Sequence, residues 1–367
     1  MPTRKVRYAV VGLGHIAQVA VLPAFAHAGQ NSTVTALVSG DSTKLDAIGK
    51  RYGIARTYSY RDYDRCLQEG HVDAVYIALP NSLHCEYAVR AARAGIHVLC
   101  EKPMAATTED CRQMITAAKQ ARVKLMVAYR LHFEEANMTA VQLLRSKKLG
   151  TLRVFNSVFS MQVRPGNIRV KRKYGGGTLY DLGVYCINAA RYLFGDEPVE
   201  VSAFAASGPD RRFKEVDEMT GALLRFPGDR LASFISSFGA ADASMYEVVG
   251  TKGRLRVEPA YEYVGDLTQQ ITIGGKTQEK TFPRRDQFAP ELLYFSECIL
   301  AGRDPEPSGE EGLNDVRIIE ALYRSADTGR PVRLSGLSKG RRPTTMQIIR
   351  RPPVKKPPLV KVQSSSL

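Results

Sequence analysis

Gly12-Leu13-Gly14-His15-Ile16-Ala17 lies between an apolar run at residues 7–11 and a helix-like stretch at 16–28, and this junction restricts the fold more than any other feature of the chain. Two glycines one residue apart allow a tight turn and a close backbone approach. The N–H groups that open the following helix can then hold a pyrophosphate. The pattern continues downstream, where apolar runs at 34–38, 74–78, 97–100 and 124–128 alternate with helix-like stretches at 42–52, 83–94 and 108–121. Such alternation is the signature of βαβ units around a parallel sheet. The expected fold class is therefore α/β, with a doubly wound Rossmann sheet over residues 1–130 that binds a dinucleotide.

With 367 residues the chain exceeds what one hydrophobic core usually organises. A helical segment at 133–146 is followed by alternating runs at 153–163, 200–206, 220–226 and 231–238, separated by turns. These predict a second, α+β domain over residues 131–334, built on a largely antiparallel open sheet. Three helices accompany it, at 178–194, 289–301 and 309–328, and the last two are expected to return to the first domain. One face of an antiparallel sheet usually needs a partner, so a homodimer or homotetramer through this sheet is expected.

Residues 335–367 form a basic, proline-rich tail in which Lys339, Arg341, Arg342, Arg350, Arg351, Lys355, Lys356 and Lys361 meet no acidic residue. The tail carries about half of the net charge of +15. Its composition cannot bury enough apolar surface to fold alone, so it is read as an extended solvated segment or an arm on a neighbouring subunit. Nucleic acid is not an expected partner. No apolar run approaches a membrane span, and the basic stretch at 1–7 runs into a strand without an apolar helix and cleavage site. Six scattered cysteines lack metal-ligand spacing and suit a reducing compartment. No metal site is expected, and the expected location is cytoplasmic.

The second strand ends in Ser39-Gly40-Asp41-Ser42, with Lys44 just beyond. Donors and positive charge at this tip suit a ribose 2′-phosphate, which predicts NADP. Asp41 keeps NAD as the alternative, its other role being to cap the following helix. Cys100-Glu101-Lys102-Pro103 follows the fourth strand, at the sheet edge where such folds bind ligands. Lys102 there can stabilise negative charge on a reacting oxygen. In the helix after Gly175-Gly176-Gly177, Asp181, Tyr185 and Asn188 share one face and are expected to line a cavity. Tyr185 beside an ammonium is suited to exchange an alcohol proton, with Asp181 orienting substrate hydroxyls.

Together with Leu79-Pro80-Asn81-Ser82-Leu83-His84, Glu101-Lys102-Pro103-Met104-Ala105, Tyr129-Arg130 and residues 309–317, these motifs resemble the glucose–fructose oxidoreductase branch of the Gfo/Idh/MocA family over residues 8–334. The resemblance implies that Lys102 is the catalytic lysine and that Asp181 and Tyr185 lie in the substrate pocket, with tyrosine as acid/base. It implies hydride transfer at C1 of an aldose, and it leaves open whether the same cofactor then reduces a second sugar. Asn81, His84 and Arg130 would lie near the nicotinamide and the substrate. The full expected cofactor set is Gly12, Leu13, Gly14, His15, Ile16, Ser39, Gly40, Lys44, Leu79, Pro80, Asn81, His84, Glu101, Lys102 and Arg130. Two other readings remain open: an oxidoreductase acting on a cyclic polyol, dihydrodiol or anhydro sugar, and a non-catalytic NADP-binding regulator. The basic segment 162–173 suits an acidic or phosphorylated sugar, a solvated loop or a subunit contact.

Overall fold

The computed structural model describes residues 4–366. Residues 1–3, where the basic N-terminal stretch begins, and Leu367, the last residue of the tail, lie outside the described residues.

The first sheet contains β1 (Val6–Val11), β2 (Ser32–Val38), β3 (Arg56–Tyr58), β4 (Ala74–Ile77), β5 (His97–Cys100) and β6 (Leu125–Val127), all parallel, in the order β3-β2-β1-β4-β5-β6. The strand order reverses between β1 and β4, and in such sheets the ligand crevice opens at that point. Its helices are α1 (Leu22–Ala24), α2 (Ser42–Tyr52), α3 (Tyr63–Gln68), α4 (His84–Arg93) and α5 (Thr108–Ala121). The helix expected at 16–28 is not a single α-helix, because Ala17–Val21 forms a wider π-turn ahead of α1. β3 and α3 were not expected. Three residues, only one of them buried, are too short to carry a strand periodicity.

After α6 (Glu135–Arg145) comes a nine-stranded sheet made of β7 (Leu152–Ser160), β8 (Glu200–Ala206), β9 (Met219–Phe226), β10 (Arg230–Ser237), β11 (Ala243–Gly250), β12 (Gly253–Val257), β13 (Leu267–Ile273), β14 (Lys276–Phe282) and β15 (Val332–Arg333). Its order is β14-β13-β12-β11-β7-β10-β9-β8-β15, antiparallel throughout except where β7 and β10 run parallel. One face is covered by α7 (Val184–Phe194), which a π-turn at Leu179–Gly183 precedes. Both long C-terminal helices return to the first sheet, as expected. α8 (Ala289–Leu300) packs on β1 and β2, with Tyr8 Oη 2.8 Å from Ser296 Oγ. α9 (Gly309–Thr328) comes close enough that a Cβ on Gly312 would lie 2.8 Å from Met104 and Val127.

The opposite face of the large sheet is apolar across its middle. Phe204, Gly221, Ile235, Val158 and Met245 stand side by side on five adjacent strands, and Phe204 is 80% exposed.

The tail is not a free solvated segment. It runs along its own chain from the second sheet to the first and back again. Arg342 enters a buried acidic cluster, 2.6 Å from Glu197 and 3.2 Å from Glu311. Gln347 donates to Glu306, Arg350 pairs with Glu135, and Ile349, Leu359 and Val360 pack on the core beside α8. The composition argument fails here because the tail need not fold alone: it adds single anchors to surfaces that are already formed. Among the described residues, no helix is long and apolar enough to cross a membrane.

Candidate functional site

A cleft of about 1310 Å³ opens at the carboxyl edge of the parallel sheet, between the two sheets. Gly12, Leu13, Gly14, His15 and Ile16 form its floor. Gly12 has φ +96°, and a Cβ there would sit 2.4 Å from the carbonyl oxygen of Ala78, so only glycine fits. At Gly14 a Cβ would meet nothing within 4 Å, which leaves room for a ligand to approach the backbone. His15 Nε2 is buried without a partner in this groove. An unpaired imidazole nitrogen, a bare backbone turn and a helical start together fit a dinucleotide pyrophosphate.

Ser39 and Lys44 line the same groove at the tip of β2, with Gly40 beside them against the Tyr60 ring. Asp41 caps α2, accepting from Lys44 N at 3.1 Å, and it also pairs with Lys361 of the tail at 3.4 Å. Its carboxylate is thus turned onto its own helix and a cation. Leu79, Pro80 and Asn81 border the next stretch, and Asn81 Nδ2 donates at 2.8 Å to Gly175 O, which joins the two halves of the cleft. His84 does not reach the cleft. It is fully buried, with Nδ1 3.0 Å from Pro103 O and Nε2 2.9 Å from Leu79 O, and it ties the loops after β4 and β5 together.

Lys102 and Tyr185 meet at the far end. Lys102 Nζ lies 4.5 Å from the centroid of the Tyr185 ring. It donates at 2.8 Å to the carbonyl oxygen of Asp181 and lies 3.3 Å from its Oδ1. The second Asp181 oxygen faces Arg169 Nε, so both carboxylate oxygens are engaged. Burial pushes this carboxyl up, but Arg169 and Lys102 outweigh it and hold it at about 2. Glu101 borders the cleft and accepts from Tyr76 Oη at 2.9 Å and from Lys102 N at 3.2 Å, and burial pushes its carboxyl up. Arg130 donates to Tyr185 Oη at 3.3 Å and to Gln287, and its guanidinium lies 5.1 Å from the Tyr263 ring centroid.

Asn188 does not join Asp181 and Tyr185 in the cleft. It bonds His132 Nε2 at 2.8 Å and Asp315 at 3.0 Å, in the buried polar cluster around Arg191. Every residue of α7 except Tyr185 is buried, so a polar residue one turn further along the helix, such as Asn188, packs inside the protein and need not face the cavity. The basic segment 162–173 is likewise not one free patch. Arg169 reaches Asp181, Arg164 bonds the tail, and Lys171 and Arg172 engage Glu215. Sequence reasoning did not find Tyr261, Glu262 and Tyr263, which line the cleft from the irregular link between β12 and β13. The two tyrosines around a carboxylate were the available signal. With Phe159 they form an aromatic wall, its ring 5.5 Å from that of Tyr185. Among the described residues no His, Cys, Asp or Glu cluster could hold a metal ion.

Comparison with known proteins agrees with this geometry. A family model described as "Oxidoreductase family, NAD-binding Rossmann fold" matches residues 6–129, and the GFO/IDH/MocA C-terminal domain matches 137–256. The NADP(+)-dependent D-xylose 1-dehydrogenase of Haloarcula marismortui is 33% identical over 90% of this chain and 93% of its own length. The crystal structure of an aldose-aldose oxidoreductase from Caulobacter crescentus, complexed with glycerol, is 42% identical with a TM-score of 0.86, covering 90% of this chain and all of that one. A 3-ketoreductase from Actinomadura kijaniata, complexed with NADP and TDP-benzene, is 28% identical with a TM-score of 0.81, covering 88% of this chain and 98% of that one. On this similarity, and on the motifs that form its cleft, the chain belongs to the Gfo/Idh/MocA oxidoreductase family.

Proposed function

We propose that this protein is an NADP-dependent oxidoreductase that moves hydride between the nicotinamide and a CH–OH carbon of an aldose-like sugar, with C1 as the reacting position. The observation that carries this reading is the meeting of Lys102 and Tyr185 at the end of the glycine-floored groove. The sugar relatives and the aromatic, polar lining of the cleft support the substrate class.

NADP, when bound, supplies the hydride acceptor for oxidation and the donor for the reverse reaction. The chain's own groups bind, orient and move the proton. The turn at residues 12–16 would hold the pyrophosphate, Ser39, Gly40 and Lys44 the ribose phosphate, and Leu79, Pro80 and Asn81 would border the nicotinamide half. In the reducing direction the Tyr185 hydroxyl donates its proton to the sugar oxygen and is left as a phenolate, and in the oxidising direction that phenolate takes the proton of the sugar hydroxyl back. The Lys102 ammonium stabilises negative charge on the phenolate oxygen. Asp181 acts through Lys102: with both oxygens engaged it positions the ammonium and does not itself hold a sugar hydroxyl. Arg130 and Glu262 are placed for the remaining hydroxyls, and Phe159, Tyr261 and Tyr263 for the apolar face of a pyranose ring.

Two further assignments belong to the same reading. The apolar row from Phe204 to Met245 supports a homodimer or homotetramer formed through the large sheet. Six free, buried cysteines support a cytoplasmic location.

The test is to purify the protein, identify any nucleotide it retains, and follow reduced-cofactor absorbance with a panel of aldoses, polyols and anhydro sugars. Turnover with NADP and an aldose is expected. Turnover confined to polyols or anhydro sugars would move the substrate class, and nucleotide binding with no turnover on any of them would overturn the reading in favour of a regulator.

A further inference from the structure

The end of the chain contributes to the cleft it crosses. Lys361, Val362, Gln363, Ser364, Ser365 and Ser366 line the same cavity as the glycine turn. They are held at both ends. On the first domain, Gln18 and Val360 exchange two hydrogen bonds, 2.8 Å from Val360 N to Gln18 Oε1 and 3.0 Å from Gln18 Nε2 to Val360 O, and Arg51 donates at 2.7 Å to Pro358 O. Gln18 is buried, so the anchor is not a surface contact. On the other side of the cleft, Ser366 forms a β-bridge with Val163, Arg164 N donates at 3.0 Å to Ser365 O, and Arg169 donates at 2.6 Å to Ser365 Oγ. Arg169 is also the residue that grips Asp181 beside Lys102. The strand therefore spans the cleft from the nucleotide side to the side that carries the reacting groups.

Lys361 stands at the critical point of this span. Its Nζ lies 2.8 Å from Thr43 Oγ1 and 3.4 Å from Asp41 Oδ1, over the tip of β2 that Ser39 and Lys44 border. Its backbone is left-handed, at φ +48°. A lysine holds such a conformation only where its surroundings impose it. The carboxylate that would favour an unphosphorylated ribose is thus paired with a lysine from the far end of the chain.

We propose that the C-terminal arm is part of the cofactor site: residues 359–366 close over the bound nucleotide, and Lys361 selects NADP over NAD by pairing with the 2′-phosphate and masking Asp41. This rests on the dinucleotide reading of the groove. It assigns a specificity role to a residue more than 300 positions from the loop it serves.

The experiment measures equilibrium binding of NADPH and NADH to the full-length protein by cofactor fluorescence, together with the NADPH release rate after mixing with excess NADP. Lys361→Ala should weaken NADPH binding about tenfold, as expected for losing a hydrogen-bonded charge, and leave NADH binding unchanged or tighter. Lys361→Arg should restore most of the NADPH affinity. Gln18→Leu, which unpins Val360, should speed NADPH release. Equal affinity of wild type and Lys361→Ala for NADPH, or an equal loss for both cofactors, would overturn the assignment to Lys361, and an unchanged release rate in Gln18→Leu would overturn closure. If the wild type binds neither nucleotide, the dinucleotide reading itself fails. Wild-type binding with no effect of the substitutions defeats only the arm.

Discussion

Lys102 Nζ sits 4.5 Å from the centre of the Tyr185 ring, although the two residues come from different halves of the molecule, one after β5 and the other at the start of α7. The Asp181 carbonyl and carboxylate hold the ammonium there. On the proposed function, proton transfer and charge stabilisation meet at one point, at the end of the glycine-floored groove.

Asp181 links this arrangement to pH. Its carboxyl is held at about 2 in the folded protein, against about 3.9 when unfolded. A depressed carboxyl adds stability that is complete above the unfolded value and is lost as pH falls through the folded one. The contribution is about 2 kcal/mol at neutral pH and roughly half of that at pH 3. Denaturant unfolding of wild type and Asp181→Asn should show a stability gap that narrows by about 1 kcal/mol between pH 6 and pH 3. A gap independent of pH would contradict the assigned pairing.

Gly12→Ala should abolish cofactor binding. The added methyl would lie 2.4 Å from the Ala78 carbonyl at a backbone φ of +96°, a strain of about 1–3 kcal/mol before any ligand is considered. Calorimetric titration with NADP checks binding, and a thermal melt checks that the variant still folds.

Arg191 is fully buried, 2.6 Å from both Glu197 and Asp315 and 3.1 Å from Glu311. Removing it leaves Glu197 and Glu311 with Arg342, and Asp315 with only the neutral donors Tyr129 and Asn188. Arg191→Met should cost about 3–5 kcal/mol of unfolding free energy, the usual penalty for stranding buried charge. Chemical denaturation measures it, and a loss below about 1 kcal/mol would mean the cluster relaxes by taking up protons.

The outer face of the large sheet yields a prediction on assembly. Ile235→Glu combined with Phe204→Glu places two charges within the row Phe204–Gly221–Ile235–Val158–Met245. Sedimentation at micromolar concentration should show an oligomer for the wild type and a monomer for the double variant. A wild-type monomer would remove the proposed interface.

What was legible in the sequence follows from how local each signal is. The glycine turn, the βαβ alternation and the position of Lys102 after β5 are contained in short windows, and the structure has them where the pattern predicts. Asn188 is misplaced by the same reasoning because helical spacing gives a shared face but not what packs on it: α7 is buried on all sides except at Tyr185, and His132 and Asp315, distant in sequence, take up the Asn188 amide. β14 was not anticipated because six of its seven residues are exposed, so no buried face marks it as a strand. The tail's inability to fold alone is a matter of composition, but its docking depends on Gln18, Asp41 and Arg164, far away in sequence, and no local pattern reports such contacts.

The most direct test is a single-turnover measurement of hydride transfer in Tyr185→Phe, with NADP bound and an aldose carrying deuterium at C1. The account predicts that NADP binds as in the wild type while the transfer rate falls by about 10²-fold or more, the usual contribution of a general acid/base, with a primary isotope effect retained. An unchanged transfer rate in Tyr185→Phe would contradict it.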